Sequence, residues 1–375
     1  MDDTTLYSYY LQKGTLTYNE LAALINAQEG TDLSAEALRQ RIRRYKLKAE
    51  KIGHGESGDS IFRELEMAKQ VFRDERNAWT RQNREQARTE ANLDELQSRL
   101  LDISGNLFPS IRSKKTLCLT KKSMLILLTD WHIGQTFQNA WGTYSTEIAK
   151  ARLSTFLTTI EETQRAERCE AAYVMSLGDM INGSIRRTVQ LQNRENLVEQ
   201  VKTASELISN FIYSILPLFP DIYYTGCAGN HTRIVEQKED ALKDERLDSL
   251  IDWVVSLLLS KQKHFHYIKP VDATIARFDI YDHVIIGVHG DYDRDTKSGV
   301  AGLITKLHVF PSIIAMGHLH TPAYNEESGI AILRGGSLAG AGDDYTTQKR
   351  LTGRASQMIA IITEDGLQQI RPVYL

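Results

Sequence analysis

The chain has 375 residues, of which 42% are hydrophobic and 25% charged, the composition of an ordinary globular protein. Its 45 Lys and Arg against 48 Asp and Glu leave a formal charge of −3, which excludes a strongly basic nucleic-acid packaging protein and a wholly disordered chain. At roughly 100 to 200 residues per domain, the length predicts two or three domains.

Cysteine usage and apolar runs indicate where the protein works. The three cysteines are widely spaced and include no CxxC pair, so neither a disulfide framework nor a thiolate zinc site is expected. Residues 1–3 lack the basic start of a signal peptide, and the most apolar run, residues 250–259, contains Asp252 and is too short to span a membrane. We expect a soluble, cytoplasmic protein without a membrane partner.

Residues 1–51 are predicted to form a small helix-turn-helix module. Apolar side chains recur at helical spacing in two segments between residues 14 and 48, and Ser34 is a suitable N-cap for the second. Residues 39–51 carry seven basic side chains opposed only by Glu50, a local charge of +6. Such a helix can enter a DNA groove or lie along phosphates; the alternative is a helical module whose charges are solvated or meet an acidic protein. The candidate nucleic-acid contacts are Arg39, Arg41, Arg43, Arg44, Lys46 and Lys48.

Two linkers and a long helix are predicted next. Residues 52–60 are rich in Gly and read as a flexible linker, and residues 105–116 as a second one. Residues 61–104 predict a long charged helix or helical pair whose apolar seam is too irregular for clean heptads. Packing on the next domain, homo-oligomer formation through the N-terminal helices and a solvated spacer all remain open.

Residues 117–375 predict an α/β domain. Short β-rich runs at residues 124–129, 173–177, 222–225, 284–288 and 313–316 alternate with helical segments at 147–166, 195–215 and 240–261. The end of the chain predicts a hairpin with its turn at Asp365-Gly366.

Each of the five predicted strands is followed by side chains of a type that can bind metals. In α/β sheets the carboxyl ends of strands gather the loops that bind ligands, so these side chains are expected at one edge. Oxygen and imidazole donors without thiolate suit Mn²⁺, Fe or Zn²⁺. The strand-end motifs are Asp130-Trp131-His132, Gly178-Asp179, Gly229-Asn230-His231, His289-Gly290-Asp291 and Gly317-His318-Leu319-His320.

These motifs, in this order, resemble the calcineurin-like metallophosphoesterases, a superfamily of two-metal hydrolases. The resemblance covers roughly residues 117–375 and implies a four-layer αββα sandwich. It further implies that Asp130, His132 and His320 bind one divalent metal and that Asn230, His289 and His318 bind the other, with Asp179 bridging. His231 would then lie beside the scissile phosphate as a catalytic residue. The metals expected are two Mn²⁺, with Fe, Zn or Mg as alternatives.

One residue departs from the family pattern, and several neighbours of the motifs are further candidates. Thr232 follows His231, where many members, including the repair nucleases, have an acidic residue. Asp291 either orients His289 or simply begins a loop. Phosphate contacts are expected of Arg186, Arg187 and Arg233, for each of which a solvated loop charge is the alternative.

The segments before the catalytic domain favour a nucleic-acid substrate. A basic helix-turn-helix joined to such a domain resembles, more loosely, the SbcD-type DNA-repair exonucleases and similar nucleases of phages. We therefore expect a Mn²⁺-dependent nuclease acting on DNA, with RNA as an alternative substrate. The resemblance also allows that the chain is encoded by a phage or prophage. The other hypotheses are a phosphatase or phosphodiesterase for a small molecule or phosphoprotein, and an inactive DNA-binding or scaffold subunit.

Overall fold

The computed structural model describes residues 2–52, 70, 74, 107–108, 121–238 and 240–375, with the side chains of 49–52 excepted. Two compact units divide the chain, Met1–Glu95 and Leu96–Leu375. The predicted linkers at 52–60 and 105–116 and the long helix at 61–104 lie outside the described residues, except for the few positions given above. In the described part of the chain, no helix has both the length and the apolar character needed to cross a membrane.

Residues 2–52 of unit 1 form three helices, α1 (Asp3–Gln12), α2 (Tyr18–Glu29) and α3 (Ala35–Ile52). A capping box of Thr17 and Glu20 begins α2, and Gly30 ends it with a left-handed φ of 63°. Helix α1 was not predicted from the sequence. The three helices enclose a small apolar core of Leu6, Leu21, Ala22, Ile25, Leu38 and Ile42.

Unit 2 is a mixed α/β fold, as predicted, with several sheets. The strands are β1 (Lys122–Leu128), β2 (Phe137–Asn139), β3 (Gly142–Tyr144), β4 (Ala171–Ser176), β5 (Asp221–Gly226), β6 (Phe265–Tyr267), β7 (Ile275–Ile280), β8 (His283–Val288), β9 (Ile313–Met316), β10 (Ala323–Glu327), β11 (Ile330–Arg334), β12 (Ser356–Thr363) and β13 (Gly366–Tyr374). The helices are α4 (Thr146–Glu167), α5 (Arg187–Leu191), α6 (Leu197–Ile215), α7 (Leu247–Leu258), α8 (Lys297–Leu307) and α9 (Asp344–Gln348), with a 3₁₀ turn at Leu216–Leu218.

Two sheets hold the strands whose ends carry the motifs. The six-stranded sheet has the order β13-β12-β1-β4-β5-β6, and the five-stranded sheet has the order β10-β11-β9-β8-β7. Within them β1, β4 and β5 run parallel, as do β8 and β9. The carboxyl ends of the parallel strands in each sheet therefore lie at the same edge of that sheet.

Three apolar clusters hold unit 2 together. The first joins one face of the six-stranded sheet to α4, α6 and α7, for example through Ile126, Phe156 and Ile208. The second fills the space between the two sheets, and the third packs α8 onto the five-stranded sheet through Val300 and Leu303. Alternate residues of β1 enter different clusters because successive side chains of a strand point to opposite faces.

Local physics accounts for the main differences from the predicted elements. The predicted helix at 240–261 is shorter, Leu247–Leu258, because residues 240–245 are loop and turn and Arg246 forms an isolated β-bridge with Arg233. Helix α8 was not predicted, since Gly299 and Gly302 interrupt its apolar pattern. The predicted C-terminal hairpin is present as β12 and β13, whose last pair is Thr363 and Gly366.

Candidate metal centre

The first group of potential ligands comes from two strands of different sheets. Asp130 and His132 follow β1, and His320 follows β9. His132 Nε2 and His320 Nε2 are 3.1 Å apart, and Asp130 Oδ1 lies 3.3 Å from His320 Nε2. Asp130 Oδ2 accepts hydrogen bonds from the Thr129 hydroxyl and from His318 N, the latter at 2.9 Å. Only Oδ1 of this carboxylate thus faces the two imidazoles.

A second group lies beside the first. Asp179 Oδ2 is 3.1 Å from His289 Nε2, and His318 Nδ1 is 3.2 Å from the same nitrogen. Asn230 Oδ1 also lies 3.1 Å from His289 Nε2. His289 Nδ1 donates to Leu177 O at 2.8 Å, which leaves Nε2 to face the other three side chains.

Asp179 and His231 connect the two groups. Asp179 joins both a cluster with His132 and His231 and a cluster with His289 and His318. Its Oδ1 accepts a hydrogen bond from His231 N at 2.7 Å. His231 Nδ1 lies 2.7 Å from Asn182 O, and since a carbonyl oxygen can only accept, Nδ1 carries the proton. The ring centroids of His231 and His132 are 4.7 Å apart.

The backbone at these strand ends is left-handed. Asp130, His132, Asp179, His318 and His320 have φ values of 52°, 48°, 54°, 67° and 57°. L-residues other than glycine rarely adopt this conformation, because the Cβ atom approaches the following carbonyl oxygen. Strained backbone of this kind is concentrated at functional sites, where the surrounding structure enforces it.

The site favours positive charge. Burial alone would raise the pKa of Asp130, but His320 outweighs it and lowers that pKa; His289 likewise lowers the pKa of Asp179. Burial and the neighbouring His231 lower the pKa of His132 to about 3, so this imidazole is neutral. In turn, Asp179 outweighs burial and raises the pKa of His289 to about 10, and Asp130 likewise raises the pKa of His320. The ionised carboxylates and the neutral His132 are in the protonation states that a metal ion requires of its ligands, whereas a metal ion would have to displace protons from His289 and His320.

One buried polar atom supports a metal directly. Asp130 Oδ1 is fully buried and has no hydrogen-bond partner among the described residues. Leaving such an atom unsatisfied costs free energy, which a cation bound to it would recover. Carboxylate, amide and imidazole donors without thiolate are a set that divalent transition metals accept, so the residues present fit such ions.

Asp248 supports the site and was not predicted from the sequence. From the first turn of α7, its buried carboxylate accepts hydrogen bonds from Asp179 N (3.1 Å), Met180 N (3.2 Å) and Gly229 N (2.8 Å). It also accepts one from the Thr232 hydroxyl at 2.9 Å. Thr232 and Asp248 thus contact each other although they belong to different elements. In the sequence, the available signal for such a role was an Asp at the start of an apolar helical segment.

The remaining predicted site residues differ in their surroundings. His289 Nδ1 donates to Leu177 O, and Asp291 Oδ2 lies 3.2 Å from Lys238 Nζ. Arg233 is buried, 4% exposed. Arg186 and Arg187 are exposed at the start of α5.

The six candidate nucleic-acid contacts on α3 fall into two sets. Arg41 forms an ion pair with Asp3 at 2.6 Å, and Lys46 Nζ donates to Tyr10 OH at 3.1 Å. Side chains that are exposed are those of Arg39, Arg43, Arg44 and Lys48. The second set therefore presents the basic surface of unit 1.

Comparisons with known proteins complete the description of the site. No family profile and no curated protein matches the chain. Vps29 of Entamoeba histolytica, solved as a zinc complex, is 12% identical over 67% of this chain and 98% of its own, with a TM-score of 0.34. Vacuolar protein sorting 29 of Cryptosporidium parvum is 12% identical over 68% of this chain and 100% of its own, with a TM-score of 0.34. An archaeal phosphodiesterase matches at 12% identity over 67% of this chain and 99% of its own, with a TM-score of 0.34. Likenesses of this size assign no function to the chain.

Proposed function

We propose that unit 2 is a two-metal phosphoesterase with a four-layer αββα sandwich. The layering is supported by the three apolar clusters, which place helices outside each of two packed sheets. The observation that carries the proposal is the convergence of five strand ends. They bring five imidazoles, an amide and two carboxylates together, and Asp130 Oδ1 is buried there without a hydrogen-bond partner among the described residues.

We assign the ligands to two positions. Asp130, His132 and His320 would hold one divalent ion, since their donor atoms lie together. The second ion would be held by Asn230, His289 and His318. Asp179, which takes part in clusters with both imidazole sets, would lie between the two ions.

The chemistry follows from the donor set. Two bound divalent ions would polarise the phosphoryl oxygens and supply a nucleophilic water at neutral pH. His231 is held by its backbone on Asp179 and by Nδ1 on Asn182 O, so its Nε2 is the atom available to the substrate. A proton on Nε2 would neutralise charge on the phosphate or pass to the leaving oxygen.

The substrate we propose is DNA, and the metal Mn²⁺. The support is the basic surface of unit 1, where Arg39, Arg43, Arg44 and Lys48 are exposed on one helix. Phosphate contacts from such a helix supply affinity that does not depend on sequence.

Purified full-length protein tests the proposal. With Mn²⁺ it should hydrolyse end-labelled and circular DNA, and a chelator should stop the reaction. Asp179→Asn should reduce hydrolysis to background. His231→Ala should keep its metal, measured by elemental analysis, and lose roughly 100- to 10,000-fold in rate.

Two results would count against the assignment. An active Asp179→Asn variant would exclude the metal centre proposed. Hydrolysis of bis(4-nitrophenyl) phosphate, with DNA and RNA left intact over a range of salt concentrations, would favour a small-molecule or phosphoprotein phosphoesterase instead.

A further inference from the structure

Unit 2 contains a cavity of about 540 Å³. It is lined by Trp141, from the turn of the β2–β3 hairpin, and by residues 341–354 on the other side, including Thr347, Arg350, Leu351 and Arg354. The volume lies within the range of roughly 300 to 1,000 Å³ that is usual for ligand pockets.

The cavity wall is continuous with a predicted metal ligand. Ala341 N donates to Gly353 O at 3.1 Å, which fixes the two ends of the wall to each other. A Cβ atom on Gly353 would come within 3.3 Å of His320 O. The loop that forms the cavity therefore packs directly on the backbone of His320.

Trp141 is an exposed apolar surface at the rim. It is 68% exposed, although burying a ring of this size is strongly favourable. Two hydrogen bonds fix the backbone of this turn: Trp141 N donates to Asn139 Oδ1 at 2.9 Å, and Asn139 Nδ2 donates to Gly342 O at 2.6 Å. An exposed aromatic ring carried on such a turn is a surface on which a flat group can stack.

Two arginines line the same cavity without acidic partners. Neither Arg350 nor Arg354 forms an ion pair with any of the residues that the structure describes. The Arg354 guanidinium lies over the Tyr374 ring, 4.4 Å from its centroid. That contact orients the guanidinium and leaves its hydrogen-bond donors available to an anion.

We propose that this cavity binds one unpaired nucleotide of the nucleic-acid substrate. The base would stack on Trp141, and the flanking phosphates would bind Arg350 and Arg354, which leads the strand on to the metal centre. Stacking on Trp141 requires a free base face, so a single strand fits and an intact duplex does not. The inference rests on the proposed nuclease function and specifies the strand state that the enzyme takes.

The test is the binding of labelled oligothymidine to the full-length protein, measured by fluorescence anisotropy. EDTA is present so that no hydrolysis occurs. Trp141→Ala should weaken binding roughly 5- to 150-fold, and Trp141→Phe should restore most of it. Arg350→Gln and Arg354→Gln should each lower the slope of log affinity against log salt by roughly 0.7. Phe310→Ala, another exposed aromatic at 63%, is the matched control and should bind like the wild type.

The oligomers separate base from phosphate recognition. An abasic oligomer of the same length should bind the wild type and Trp141→Ala with equal affinity. The affinity for blunt-ended duplex DNA should also be the same in the two proteins. Oligothymidine affinity that is unchanged in Trp141→Ala, with the far-ultraviolet circular dichroism of the wild type, would overturn the proposal.

The proposed phosphoesterase function and the proposed nucleotide-binding cavity are tested by separate measurements. Metal-dependent hydrolysis of bis(4-nitrophenyl) phosphate by the wild type measures the metal centre alone. Hydrolysis without Trp141-dependent binding overturns the cavity proposal and leaves the phosphoesterase intact. Trp141-dependent binding without hydrolysis of either substrate supports the cavity and rejects the nuclease.

Discussion

Asp248 shows how a single side chain can hold two loops in register. Its carboxylate collects backbone N–H groups from the loops after β4 and β5, the loops that carry Asp179 and Asn230. Hydrogen bonds to a charged acceptor are stronger than those to a neutral one. The position of two predicted ligands thus depends on a residue that touches neither phosphate nor metal.

Asp248→Asn should lower metal affinity or activity by roughly 10- to 100-fold, because an amide cannot accept all of these hydrogen bonds. Metal titration and the rate of hydrolysis measure the effect. Asp244→Asn, at an exposed position in the segment before α7, is the control and should leave both unchanged. Wild-type metal affinity in Asp248→Asn would show that the loops hold their positions without this carboxylate.

Asp252 makes a different, pH-dependent contribution. Burial raises the pKa of its carboxyl to about 8, and the hydrogen bond from Tyr224 OH offsets this only in part. A pKa that is higher in the folded state means that the stabilising contribution is complete at acid pH. It is lost as the pH rises from about 4 to about 8, by roughly 1.4 kcal/mol per pH unit.

The neutral variant Asp252→Asn avoids this loss. The variant should therefore be more stable relative to the wild type at pH 8 than at pH 5, so that its free energy of unfolding minus that of the wild type is larger at pH 8. Urea unfolding of both proteins at the two pH values measures the difference. A difference that does not change with pH would show that Asp252 is not protonated in the folded state.

At the scale of loops and strands, close backbone packing sets the geometry of the site. A Cβ atom on Gly229 would lie 2.1 Å from Asp179 Oδ1 and 2.4 Å from Asp179 N. A Cβ atom on Gly178 would likewise lie 2.4 Å from Gly229 N. The loops after β4 and β5 can approach in this way only because glycine has no side chain.

Gly229→Ala should push these loops apart, with loss of metal binding and a lower melting temperature. Gly302→Ala is the matched control: nothing lies within 4 Å of a Cβ atom there, and the residue is inside α8. This substitution should be neutral or stabilise the protein by up to roughly 1 kcal/mol. Calorimetry and elemental analysis of both variants test the pair, and equal effects would contradict the packing argument.

Helix α3 is expected to supply part of the affinity for DNA. Replacing Arg43, Arg44 and Lys48 by Gln in the full chain should lower the slope of log affinity against log salt by up to roughly 3, because each phosphate that is no longer neutralised removes about 0.9. The same replacement of the exposed Lys150, Arg165 and Lys202 on α4 and α6 should leave the slope unchanged. Equal slopes in all three proteins would place the DNA surface elsewhere.

Sequence reasoning worked best where one local signal determined the outcome. Apolar runs ending in Asp or His located β1 and β4, because a strand buried on both faces has a continuous apolar sequence. The β2–β3 hairpin and α9 were not predicted, since three to five residues carry too little periodicity. Asp248 and Arg233 required tertiary information: their neighbours come from other elements, and no spacing along the chain encodes those contacts.

At the scale of the whole molecule, metal should stabilise one unit only. All the predicted ligands lie in unit 2, and ligand binding stabilises only the folded state that holds it. Addition of Mn²⁺ to metal-free protein should slow hydrogen exchange in peptides that cover residues 128–134, 176–184, 227–233 and 317–321. Peptides from residues 3–48 should exchange at the same rate with and without metal. Protection spread equally over both units would contradict the assignment.

The left-handed backbone at the predicted ligands implies a trade between stability and activity. Left-handed backbone costs an ordinary L-residue roughly 1 to 2 kcal/mol, and Asp and His tolerate it better than most residues. Glycine would relieve that cost at each of these positions and would remove the donor atom with it. Substitution by glycine should therefore stabilise the fold while it removes a ligand of the proposed metal centre.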